Sequence, residues 1–76
     1  MPKTTIQMTS CPKYIYMDGV RLLPSDWHWS GEKLTLSFGA GPTDHLIVCD
    51  LADKIIEYEI AIDHLDNLCV VEVSEL

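Results

Sequence analysis

Basic residues are scarce in this chain. Lys and Arg number 5 against 12 Asp and Glu, and the net charge is −7. Phosphate recognition needs clustered Lys and Arg, so direct binding to nucleic acid is not expected. Cysteine is equally thin. Three residues, Cys11, Cys49 and Cys69, are too few and too odd in number for a disulfide framework. No apolar run approaches the roughly 18 residues of a membrane span, and no charged segment leading into an apolar one opens the chain. The expectation is a cytoplasmic protein with free thiols and no membrane contact.

Motifs of catalysis and cofactor binding are also missing. There is no C-x-x-C and no H-x-x-x-H. His45, Cys49, His64 and Cys69 form a two-plus-two set, but residues four apart on a strand lie about 13 Å apart, far beyond a shared tetrahedral site. Cys49 and Cys69 sit inside apolar runs, where a thiol packs as a small hydrophobe. Cys11, Asp26 and His28 could form a nucleophilic set only by assembling in space. The Gly39-Ala40-Gly41-Pro42 stretch has the composition of a phosphate loop, but it joins two strand-like segments and feeds no helix. No enzyme, metal or cofactor is expected.

With 76 residues the chain is expected to form one small domain, residues 1–76. A domain of this size buries only about 60% of its unfolded surface, so self-association is a natural source of further burial. What is present is β pattern. Residues 55–62 alternate Ile56, Tyr58, Ile60 and Ile62 with Glu57, Glu59 and Ala61, which gives a strand with one dry face and one wet face. Leu46-Ile47-Val48-Cys49 precedes it and Leu68 to Val73 follows, joined by turn-length polar links, so residues 44–75 read as a three-stranded meander. A helix over 50–66 would line up Leu51, Ile55, Tyr58, Ile62 and Leu65, but it would expose Ile56 and Ile60. Strand is therefore preferred.

Upstream, Asp18-Gly19 between two β-rich runs marks a hairpin, because a type I′ turn needs positive φ at both central residues. Trp27-His28-Trp29, a turn at Ser30-Gly31 and the alternating Lys33 to Phe38 supply a further pair, with Leu34, Leu36 and Phe38 inward. The fold class is mainly β: a small antiparallel meander, barrel or sandwich of six to seven short strands, with room for one short helical turn. No internal repeat is visible.

Two candidate surfaces emerge. Residues 1–43 carry four cations against three acids, whereas residues 44–76 carry nine acids against Lys54 alone. On an extended segment 55–63, Glu57, Glu59 and Asp63 project to one side at about 6.6–6.8 Å per two-residue step, close to the scale of successive phosphates. Glu72 and Asp50 would join them from the neighbouring strands. This pattern suits an inhibitor-like, non-catalytic protein-binding module, a nucleic-acid mimic of the kind a phage or mobile element encodes. It would dock the acidic sheet on a basic, nucleic-acid-handling surface of a larger protein. The competing explanation is that outward charge simply keeps sheet faces and edges soluble. The second surface is aromatic. Tyr14, Tyr16, Trp27 and Trp29 could form a homodimer contact, or a stacking pocket with Arg21 for a nucleotide-like ligand. The default home of the two indoles is the core.

Overall fold

The computed structural model describes residues 3–76 and is all β. Its strands are β1 (Thr4–Gln7), β2 (Pro12–Met17), β3 (Val20–Arg21), β4 (Trp27–Ser30), β5 (Lys33–Leu36), β6 (His45–Asp50), β7 (Ile55–Ile62) and β8 (Leu68–Glu75). They form one sheet in the order β3-β2-β6-β7-β8-β1-β5-β4, curled into a half-barrel. The mainly β fold class stands. The strand count is eight rather than six or seven, and the arm expected after Asp18-Gly19 is a strand of only two residues, β3. Among the described residues no helical turn forms, because the polar links are taken up by tight hairpin turns.

The turns explain the register. Asp18 and Gly19 take φ of 54° and 79°, the left-handed pair of a type I′ hairpin. At the β6–β7 link, the Asp53 amide bonds to the Asp50 carbonyl and the Asp50 amide to the Lys54 carbonyl, with Asp53 at φ 63°. The β7–β8 link repeats this: the Asp66 amide bonds to the Asp63 carbonyl, the Asp63 amide to the Asn67 carbonyl, and Asp66 also sits at φ 63°. Each is a three-residue loop whose last residue is left-handed, a geometry that Asp tolerates better than most residues. The first loop pairs Cys49 with Ile55 and so carries His45 to a place opposite Glu59.

The meander over β6, β7 and β8 is antiparallel as its sequence suggests. The sheet as a whole is mixed, because β1 runs parallel to β8 and meets it at one register pair, Gln7 with Cys69. On its other side β1 pairs antiparallel with β5 along four positions.

One face of the curled sheet encloses the core. Ile6, Ile15, Leu34, Leu36, Leu46, Val48 and Ile60 are fully buried there. Trp27, Trp29, Phe38 and Tyr58 pack against it in partly buried positions. The Trp29 indole N–H donates to the Met8 carbonyl at 3.0 Å, which satisfies the one polar atom of a large apolar ring. Ile62 breaks the expected dry face. It pairs with Leu68 beside the last turn, beyond the end of the core, and is 53% exposed.

The Gly39–Pro42 loop is an internal structural element with no free cradle. Buried Thr4 donates its hydroxyl to the Phe38 carbonyl at 2.8 Å and accepts the Ala40 amide at 2.8 Å. Asp44 accepts the Gly41 amide at 2.9 Å. The amides of Ala40, Gly41, Thr43 and Asp44 are all held by the chain's own oxygens, which leaves none of these four for a phosphate. Among the described residues no helix is long and apolar enough to cross a membrane.

Candidate functional site

Residues paired across a sheet share a face, and neighbours along a strand alternate. On β6 and β7 these rules place His45, Ile47, Glu57 and Glu59 on the face opposite the core. Val71 joins them from β8 through its pairing with Glu59, and Ser74 through its pairing with Glu57. Tyr14 and Tyr16 join from β2 through Cys49 and Ile47. This outer face is the candidate site.

Its charged centre is a three-residue cluster. The Glu57 carboxylate meets His45 Nδ1 at 2.9 Å, and the Glu59 carboxylate lies 3.3 Å from His45 Nε2. The Ser74 hydroxyl reaches Glu57 at 3.5 Å. The hydrogen bond that protonated His45 donates to Glu57 raises the His45 pKa above its ordinary 6.5, against a smaller lowering by burial, and the charges of Glu57 and Glu59 add to the rise. Because the folded value is the higher one, the stabilisation is complete below pH 6.5 and is lost as pH rises through the folded pKa. Protonated His45 also cancels part of the carboxylate charge, so the face grows more anionic as pH rises. An NMR titration of the His45 ring should therefore give a midpoint above 6.5, and Glu57→Gln should bring it back towards 6.5. An unchanged midpoint in that variant would show that the cluster does not exist in solution.

Beside the cluster lies an aromatic edge. The Tyr14 and Tyr16 rings meet edge to face with centroids 5.7 Å apart, and the Arg21 guanidinium lies 4.7 Å from the Tyr14 centroid. A cation over a ring face is attracted by the ring quadrupole, which draws the exposed Arg21 towards Tyr14. Val71, half exposed at 50%, flanks the cluster on its other side.

The five acids expected to act together are divided by this geometry. Glu57 and Glu59 share the face. Glu72 pairs with Tyr58 and so points to the core side, where it is exposed past the core's edge. Asp50 and Asp63 brace their turns. Asp50 Oδ1 accepts the Ala52 and Lys54 amides at 2.9 and 3.0 Å, and Asp63 Oδ1 accepts the Leu65 and Asn67 amides at 2.8 and 3.0 Å. Local capping of this kind competes for any short acid next to a turn. The aromatic set divides too: Tyr14 and Tyr16 lie on the outer face, whereas Trp27 and Trp29 pack against the core.

The remaining candidates do not converge. Asp26 and His28 line a cavity of about 160 Å³ with Lys3 and Trp27, while Cys11 lines a separate one with Asp50 and Leu51. Among the described residues no group of three His, Cys, Asp or Glu side chains is placed to hold a metal ion, and in the His45, Glu57 and Glu59 cluster both ring nitrogens face carboxylates. Sequence reasoning missed His45 and Val71 as members of the face. The signal that could have placed them is the pair of Asp-x-x-Asp turns, whose loop length fixes the register. Comparison with known protein families, characterised proteins and solved structures gives no match, so the site rests on the chain's own geometry.

Proposed function

We propose that this chain is a non-catalytic protein-binding module that docks the outer face of β2, β6, β7 and β8 on a basic surface of a larger protein and blocks it. The observation that carries the reading is the Glu57–His45–Glu59 cluster, two adjacent carboxylates held in place on a rigid sheet. Its neighbours Tyr14, Tyr16, Ile47 and Val71 supply the apolar and aromatic contact that protein interfaces favour at their centre. The partner class includes nucleic-acid-binding proteins, whose clefts are basic, and an inhibitor encoded by a phage or mobile element fits the same description. With two carboxylates in register rather than five, the face matches a patch of Lys and Arg better than a long phosphate-binding groove. A stacking pocket is not advanced, because the tyrosines and tryptophans lie on opposite faces.

The test is capture of partners from source-cell lysate at about 50 mM and about 500 mM salt, where screening lengths differ roughly threefold. The native chain is expected to retain a basic protein at low salt and release it at high salt. Glu57→Lys with Glu59→Lys should abolish retention. Affinity for the captured protein should rise as pH is taken up through the folded-state pKa of His45, which lies above 6.5. Undiminished capture by the double variant would overturn the reading.

A further inference from the structure

The second half of β8 has an open edge. On one side β8 pairs with β7 along its length, whereas on the other it meets β1 only where Gln7 stands beside Cys69. Backbone directions follow from β7. The Ile60 amide bonds to the Asp44 carbonyl at 2.8 Å and the Ile60 carbonyl accepts the Thr43 amide at 2.9 Å, so both polar groups of Ile60 point towards the β6 side. Glu59 and Ala61 then point towards β8, and their partners Val71 and Cys69 point back towards β7. That directs the amide and carbonyl of Glu72 to the open edge. Among the described residues β1 pairs with β8 at Cys69 alone, and no turn or loop backbone bond reaches Glu72.

The side chains flanking this edge alternate in chemistry. Val71 is half exposed on the outer face, and Val73, the extra residue at the irregularity opposite Glu57 and Tyr58, is 51% exposed. Glu72 and Glu75 pair with Tyr58 and Ile56 and take the other face. Neither β7 nor β8 carries a Lys or Arg.

From this we infer that the β8 edge accepts an added strand: an extended segment of another protein in which basic and apolar residues alternate. Its main chain would bond to the Glu72 amide and carbonyl, its basic side chains would meet Glu72 and Glu75, and its apolar side chains would cover Val71 and Val73. Sheet extension supplies affinity through the backbone and specificity through alternate side chains. The acids decide between occupants. A second copy of this chain would bring Glu72 and Glu75 against their own kind, and an inward-pointing charge is a known guard against such self-pairing. A basic strand turns the same charges into attraction. This inference names the partner segment for the proposed binding module and rests on that reading, but it is tested separately from it.

The probe is an acetylated and amidated heptapeptide of alternating lysine and valine, with a glutamate–valine peptide as control. Amide exchange of the native chain is followed by NMR. The lysine–valine peptide is expected to slow exchange at Glu72 by about tenfold or more and the control to leave it unchanged. Glu72→Pro removes the outward N–H without touching the bonds to β7 and should abolish binding. Glu72→Lys should weaken binding about tenfold, and it serves if the proline variant fails to fold. Glu57→Lys with Glu59→Lys should still show the protection. Peptide binding without protection at Glu72, protection by the control, or binding lost only in the Glu57 and Glu59 variant would overturn strand addition. So would a peptide-free dimer that protects the same amide. A partner captured from lysate through Glu57 and Glu59, with no peptide effect at Glu72, would overturn this inference and leave the docking face standing.

Discussion

Leu46→Ala is expected to lower stability by about 2–5 kcal/mol, the usual span for emptying a well-packed leucine site. Leu46 is fully buried on β6, paired with Met17 on one side and Tyr58 on the other. Its neighbours sit on ladders and can collapse little into the space left behind. Small domains have scant reserve: at roughly 0.05–0.15 kcal/mol per residue, a chain of this length has about 4–11 kcal/mol in all. A large part of the population is therefore expected to unfold at modest urea concentration. Urea denaturation followed by tryptophan fluorescence measures this, since Trp27 and Trp29 pack against the core. A loss below about 1 kcal/mol would mean that Leu46 is not at the centre of the packing.

Asp50→Ala combined with Asp63→Ala is expected to cost about 2 kcal/mol, from about 1 kcal/mol for each lost acceptor. Each carboxylate holds two backbone amides of its turn, and the two turns lie at opposite ends of β7, so their effects should add. Asp50→Asn with Asp63→Asn keeps the accepting oxygen and removes the charge. That pair should remain within about 0.5 kcal/mol of the native chain and should bind the partner as before. Full stability of the alanine variant, or loss of partner binding in the asparagine variant, would return these residues to the interface.

The local elements were largely legible in the sequence and the assembly was not. Asp18-Gly19 announces its hairpin because few residues tolerate two successive positive φ values. The alternation in Lys33–Leu36 and in residues 55–60 identifies the buried positions Leu34, Leu36 and Ile60 directly. Strand β8 is different: Val70, Val71 and Val73 leave no polar face to tell inside from outside, so nothing in the pattern assigns a side to Glu72. The fates of Asp50 and Asp63 were hidden by their place at strand ends, where a carboxylate can either face a partner or fold back on its own turn. His45 looks like a metal ligand when its neighbour in sequence is Cys49. It becomes a carboxylate clasp only once the β6–β7 register brings Glu57 and Glu59 to it.

The single register pair between β1 and β8 leaves the sheet with a weak seam. The ribbon β3-β2-β6-β7-β8 and the triplet β1-β5-β4 are each stitched by several rungs, while Gln7 and Cys69, from opposite extremes of the chain, form the lone rung between them. The two parts are joined instead through side chains: Ile6, Leu34 and Leu36 from the triplet pack in one cluster with Ile15, Leu46, Val48 and Ile60 from the ribbon. Neither part has a separate interior, so a substitution that empties the shared cluster should loosen the seam before any ladder within either part.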